Sequence, residues 1–264
     1  MKILRYLKLY GYFVRFSVSR SMEFRIDFFF RIIMDLLYYV VNLAFFHILY
    51  KHTPALAGWR EPEMMVFVSV YLLIDAINMT LFSNNMWILP SLVNKGDLDY
   101  YLIRPVSSLF FLSLREFAFN SFINLIIALG IVAWAFMNYP HPISFFQIIF
   151  FFFNVCVGTL LYFSVRLITL LPVFWTHSAR GFDALFWPMT RFMERPDRIF
   201  NGWTRVLFIT VLPFSLMASY PARLFLDQFD PLIFLHLISA AIIYFLLLIW
   251  AWNRALKVYS SASS

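Results

Sequence analysis

Five apolar runs dominate this chain: about Phe28 to Tyr50, Met64 to Pro90, Glu116 to Met137, Ile143 to Ile168 and Pro231 to Trp252. A helix rises about 1.5 Å per residue, so about 20 apolar residues cross the roughly 30 Å hydrocarbon core of a bilayer. Every run exceeds that length. Hydrophobic residues make up 62% of the chain and charged residues 13%, against about a half and a quarter in soluble domains. There are too few charges to cover this apolar surface in water. The expected fold is therefore all-α, a polytopic membrane bundle of about six spans forming one domain over residues 1–264.

The net charge of +7 is concentrated. Lys2, Arg5, Lys8, Arg15, Arg20 and Arg25 all precede the first run. Nucleic-acid binding needs a soluble basic surface, so this cluster is read instead as a cytoplasmic face against anionic lipid. Arg5, Lys8, Tyr12, Arg15 and Ser19 recur at spacings of three and four, and Ile3, Leu7, Val14 and Val18 fall on other sides. That pattern predicts an amphipathic helix over 1–25 lying in the headgroup layer; the plainer reading is a basic juxtamembrane segment. No small-residue cleavage site follows a short apolar core, so a secretory signal is not expected. Lys95, Arg104 and Arg115 assign the 91–115 loop to the cytoplasm, and Arg254 and Lys257 do the same for the C-terminal end. Both termini are thus expected to be cytoplasmic, in a multi-pass protein of the cytoplasmic (inner) membrane. Pro54, Gly58 and Pro62, and later Pro140 and Pro142, mark outer turns.

Polar residues inside the runs are the candidates for function. Asp27, Arg31 and Asp35 stand four apart and can neutralise one another on one helix face. The second run carries Asp75, Asn78, Asn84 and Asn85. Polar groups at this depth face protein or water. Asp35, Asp75 and Asn78 are therefore intramembrane candidates, with helix–helix bonding as the alternative.

The stretch from His177 to Gln228 admits two readings. In one, Ala179 to Ile199 is a short fifth span, and Gly202 to Leu226, interrupted by Pro213 and Pro221, dips into the membrane and returns. In the other, Arg180, Arg191, Arg195, Arg198 and Arg205 lie in an inner loop and Arg205 to Phe225 is the fifth span. The positive-inside rule favours the second; the prolines favour the first.

Catalytic and cofactor motifs are missing. No Gly-x-x-x-x-Gly-Lys-Ser/Thr loop cradles phosphate, no His-Glu-x-x-His motif or Cys/His cluster suggests zinc, and no Gly-x-Ser-x-Gly elbow is present. Cys156 is the lone cysteine. The expectation is no catalytic residue, no metal and no cofactor bound by this chain. A membrane-embedded enzyme acting on lipid would need carboxylates and histidines to meet in space.

Three stretches carry a family resemblance: Asn94-Lys-Gly-Asp-Leu-Asp-Tyr-Tyr-Leu-Ile-Arg-Pro105, Leu212-Pro-Phe-Ser-Leu-Met-Ala-Ser-Tyr-Pro-Ala-Arg223, and the serine-rich Ala255–Ser264. In order and spacing they resemble the permease subunits of type-2 (ABC-2) ATP-binding-cassette exporters, over nearly the whole chain. Lys257-Val258 stands where a basic pair is commoner. The resemblance implies six transmembrane helices, an interface helix over 1–25, a coupling helix within 91–115 and re-entrant half-helices over 201–228 that turn at Pro213 and Pro221. It also implies two copies of a cytoplasmic ABC ATPase subunit holding ATP and Mg, and a second permease, identical or a sister protein. Lys95, Gly96, Asp97, Leu98, Asp99, Tyr100, Arg104 and Pro105 are then the residues that couple to the ATPase. Their chemistry agrees: Gly96 permits a turn, Asp97 or Asp99 can cap the next helix, and Pro105 restricts Arg104 to extended backbone. A membrane scaffold without transport is the remaining alternative.

Overall fold

A computed structural model describes residues 2–21, 25–56, 58–225 and 230–260. The Ser261–Ser264 tail, and the 226–229 end of the expected re-entrant segment, lie outside the described residues, as does the side chain of Asp27. The described chain is helical, apart from turns and one isolated bridge between Leu56 and Trp59.

Helix α1 (Lys2–Ser21) precedes α2 (Arg25–Tyr50). A turn with Gly58 at φ 83° leads to α3 (Glu61–Asn78), whose start is fixed by Pro62 and by the Glu63 carboxylate accepting from the Arg60 N–H at 2.7 Å. One wide turn over Met79–Ser83 joins α3 to α4 (Asn84–Lys95). Short helices α5 (Asp99–Leu102) and α6 (Ser108–Leu114) lead into α7 (Phe119–Met137). Helix α8 (Phe145–Leu170) is opened by a Ser144/Gln147 capping box and followed by α9 (Val173–Thr176) and α10 (Arg180–Thr190). Then come α11 (Gly202–Val206), its wider continuation Leu207–Val211, α12 (Phe214–Ala222) and α13 (Pro231–Val258). The Asp230 side chain caps α13 by accepting from Leu232 N at 2.9 Å.

Five helical stretches are long and apolar enough to cross a membrane: Phe28–Tyr50, Glu61–Lys95, Phe119–Met137, Phe145–Thr176 and Pro231–Val258. A sixth arises only if Gly202–Val211 and Phe214–Phe225, bent by 91° against each other, count as one. The stretch Val66–Ile74 of α3 is buried all round, with α7, α8 and α12 against it. Helix α2 is the peripheral one. It runs parallel to α7, with Phe28 stacked on Phe119 at one end. Helices α8 and α13 also run side by side in the same direction, Phe150 meeting Phe234 at 4.6 Å and Phe174 meeting Trp252 at 6.0 Å. The end of the bundle bearing α1 and residues 94–105 is the basic end; the opposite end carries Trp59, Tyr139 and Phe225.

Several sequence expectations need correction. Pro90 does not end the second span. It sits inside α4, which continues to Lys95 and stops where Gly96 turns left-handed at φ 79°. A proline forfeits one backbone bond, and packing inside a bundle tolerates that loss. The third span begins at Phe119 rather than Glu116, because the chain before it is pinned sideways. Asn85 accepts from the Glu116 N–H and donates to the Glu116 carbonyl, both at 2.9 Å, and Thr80 O accepts from Ala118 N at 3.0 Å. The wide turn at 79–83 frees the Thr80 carbonyl region for that role, as such turns commonly do.

The Ala179–Ile199 stretch is not one continuous span. Its helix stops at Thr190, about 16 Å long by its rise, with Pro188 inside it and an irregular course to Ile199. Nor is Arg205–Phe225 one straight helix: it breaks at Leu212-Pro213. The stretch 180–199 starts at the basic end, where Asn94 Nδ2 donates to the His177 carbonyl at 2.9 Å. Farther along, Phe186 meets Tyr162 and Phe214. It finishes level with α12, where Ser219 Oγ accepts from Asp197 N at 3.0 Å. Helix α12 then rises to the far end, where Phe225 packs on Phe136, Tyr139 and Phe151. Pro213 stands at the break as expected, whereas Pro221 lies inside α12 and not at a turn.

Helices α8 and α12 approach closely at Gly158. A Cβ there would sit 2.7 Å from the Met217 carbonyl oxygen and 3.2 Å from Ile74 Cδ1. The first neighbour is backbone and cannot swing away. Gly158→Ala is expected to cost about 1–3 kcal/mol through overpacking, read as a lower apparent melting temperature in detergent. Unchanged melting would mean that α12 does not lie this close to α8.

Candidate functional site

The basic end presents a braced surface. After Gly96 turns the chain, Leu98 buries completely in an apolar cluster with Leu89, Leu112, Phe174 and Trp252. Its N–H reaches Leu92 O at 3.3 Å, and its carbonyl accepts from Tyr101 and Leu102. The neighbours point outward: Lys95, Asp97, Tyr100, Ile103, Arg104 and Pro105 are all exposed, Ile103 at 76%. The Arg104 guanidinium lies over the Tyr100 ring at 4.4 Å. One buried leucine thus holds a short helix whose outer side offers an aromatic ring, an aliphatic side chain and both signs of charge. Neither Asp97 nor Asp99 caps α5, whose N-cap position is Leu98 with no side-chain cap; that expectation is corrected. Asp99 instead lies beside Tyr259, whose hydroxyl is pushed above the usual tyrosine value by burial and then by the Asp99 carboxylate.

Three other elements stiffen this surface. Tyr101 packs at a tilt against Phe111, and Arg115 lies over its ring. The Trp252 indole N–H donates to Ser108 Oγ at 3.1 Å. Helix α1 lies along residues 107–117: Tyr6 Oη accepts from Ser107 N at 3.1 Å, Phe13 meets Phe111, Ser17 Oγ accepts from Phe117 N at 3.1 Å, and Arg20 pairs with Glu116 at 3.5 Å. The face bearing Arg5, Lys8, Tyr12, Arg15 and Ser19 is exposed, as are Leu4, Leu7 and Phe16. Charged and apolar groups therefore share the uncovered sides of α1.

The intramembrane candidates separate. Asn78 is buried and donates to Ile74 O at 2.9 Å, a helix-internal bond, so it serves the backbone next to the wide turn. Asp35 accepts from Asn124 Nδ2 and ties α2 to α7. Asp75 is half-buried on α3 and has no side-chain hydrogen bond or ion pair among the described residues.

Two groups that the sequence reading did not single out matter most around the broken pair. Asp197 is fully buried and accepts from Arg223 Nη2 at 2.5 Å and from Arg205 Nη2 at 3.0 Å. Glu194 accepts from Tyr38 Oη at 3.2 Å, joining α2 to the turn after α10. Among the described residues no group of three or more His, Cys, Asp or Glu side chains is arranged to hold a metal ion.

With this architecture in place, the comparison with known families is decisive on class: a profile for ABC-2 family transporter proteins matches residues 36–263. No curated protein and no solved structure shows significant similarity to the chain. The chain belongs to the ABC-2 transporter family, and it is a multi-pass permease component of an ABC transporter.

Proposed function

We propose that this chain is the membrane-spanning subunit of an ATP-driven exporter of the cytoplasmic membrane, with both termini in the cytoplasm. Residues 94–105 receive the stroke of a separate ABC ATPase. In this reading two ATPase copies, which hold ATP and Mg, sit beneath two permease chains, identical or sister. Helix α1 lies in the inner headgroup layer, and 202–225 is a re-entrant pair entered from the outer face.

The observation that carries the proposal is the braced surface around Leu98. A push is transmitted by an element that moves as a body and is absorbed by a loop that bends. Here α5 is tied through Leu98 to α4, α6 and α13, and an exposed Tyr100–Ile103–Arg104 face is left for a partner. Aromatic and arginine side chains are the ones that anchor protein interfaces. Nine basic residues, six from Lys2 to Arg25 before the first span and Lys95, Arg104 and Arg115 after the second, favour the cytoplasmic orientation.

The test is purification of the tagged chain in mild detergent from cells grown with its genomic neighbours intact. A nucleotide-binding subunit should co-purify in equal amount, with ATP hydrolysis that vanadate stops. A chain that always purifies without an ATPase, yet turns over a lipid or keeps its role when cellular ATP hydrolysis at that locus is abolished, would replace this reading with an enzyme or a scaffold.

A further inference from the structure

Helices α2 and α7 meet closely toward the basic end, where Phe28 stacks on Phe119 and the Asp35 carboxylate accepts from Asn124 Nδ2. Toward the opposite end they leave a cavity of about 950 Å³ between them, with the first turn of α3 as a third wall. That volume is in the range of small-molecule sites. On both long helices the lining residues recur at i, i+3, i+4 and i+7, from Val40 to His47 on α2 and from Ile127 to Trp134 on α7. One face of each helix is therefore turned to the cavity. Gly130 leaves room in the α7 wall: an added Cβ there would meet nothing within 4 Å. A glycine inside a helix weakens it, and no neighbour demands one here.

Polar groups gather at one end of this cavity. His47, Glu61 and Asn138 form its rim with Trp134, and every other lining residue is apolar. Tryptophan marks the headgroup level of a bilayer. Asn138 and Ile127 stand 11 positions apart on the α7 stretch, about 16 Å by helix rise. One leaflet of a hydrocarbon core roughly 30 Å thick has that depth. The rim itself accepts hydrogen bonds. Glu61 gives one carboxylate oxygen to His47 Nδ1 at 2.7 Å, and its side chain stays 42% exposed. Asn138 spends its Nδ2 on the Trp134 carbonyl at 2.8 Å, which leaves the amide oxygen to accept. Such a rim suits a headgroup that donates.

We propose that the cavity between α2, α3 and α7 seats a membrane lipid with a primary-ammonium headgroup, from the leaflet at the end opposite α1. One acyl chain lies between α2 and α7, and the ammonium donates to Glu61 and Asn138. A charge-assisted bond to the carboxylate is the strong one of the two. A quaternary ammonium headgroup has no N–H to donate and binds less well. A second copy of the chain fits worse, because an apolar helix would leave the acceptors of the rim without donors. The seat depends on the chain spanning a bilayer and not on any ATPase.

The experiment places the full chain in nanodiscs, without any ATPase, with a phosphatidylethanolamine that carries a diazirine on one acyl chain. Labelling should saturate and should map by peptide mass spectrometry to residues 40–47 and 127–134. Unlabelled phosphatidylethanolamine should compete about fivefold better than phosphatidylcholine of the same chains, through its charge-assisted bond. Gly130→Phe fills open space and should lower labelling of those walls about tenfold at an unchanged melting temperature. Glu61→Gln removes the rim charge and should bring the two competitors within about twofold of each other; this arm stands even if Gly130→Phe does not fold. Unsaturable labelling spread along α2, or labelling unchanged in Gly130→Phe, would show boundary lipid only and overturn the site. Equal competition by the two lipids in the wild type would overturn it as well. So would a chain-to-chain crosslink from a photoreactive residue at Leu43, which would give the cavity to a second copy. None of these results touches co-purification of an ATPase, so this site and the proposed function fail separately.

Discussion

Asp197→Ala is expected to destabilise the protein by about 3–5 kcal/mol, the usual cost of removing one partner from a buried ion pair. Asp197 is fully buried, and Arg223, which it holds at 2.5 Å, is 6% exposed. Without the carboxylate, Arg223 is left as an uncompensated charge between α12 and the 197–199 turn. The Arg205 arm is 40% exposed at its side chain, so Arg205→Ala should cost no more than about 1 kcal/mol after solvent screening. This contrast separates burial from mere pairing. Thermal unfolding of the purified chain, followed by loss of monodispersity, reads both. Equal effects at Asp197 and Arg205 would show that the pair around residues 202–225 is held by something else.

The second large effect is functional. Gly96 adopts φ 79°, a conformation that proline cannot reach because its ring fixes φ near −65°. Gly96→Pro is expected to displace Leu98 from its cluster and abolish stimulation of ATP hydrolysis by the permease, while the spans remain inserted. Asp97→Lys changes an exposed side chain and should spare folding. Any loss of coupling there, expected to be about tenfold or less, would report on the partner surface alone. Coupled ATPase activity of the reconstituted complex, compared with the melting temperature of each variant, distinguishes the two effects. Full coupling in Gly96→Pro would remove residues 94–105 from the mechanism.

The membrane class and the general course of the spans were legible because apolar run length and bilayer thickness leave few other solutions. The left-handed turn at Gly96 was legible for a local reason: only the residue type is needed. Prolines were legible only in part. Pro213 breaks its helix while Pro90 and Pro221 do not, and the difference lies in the packing around each ring, which no local pattern records. Counting the arginines between 180 and 205 leaves an inner loop open, and the count does not show that Asp197 binds Arg205, and Arg223 beyond it, within the fold. Glu194 was invisible for a related reason: its partner Tyr38 is 156 residues away. Asp75 stood out in the sequence as a carboxylate in an apolar run.

Site-specific photocrosslinking from the Ile103 position tests the coupling surface most directly. Ile103 is 76% exposed beside Arg104, so a photoreactive amino acid there leaves the buried Leu98 anchor in place. In cells expressing the full chain, a crosslink to a nucleotide-binding ATPase subunit is expected, and none from a probe at Met137, which is exposed at the opposite end of the bundle. A crosslink to that ATPase from Met137 and not from Ile103 would contradict that expectation.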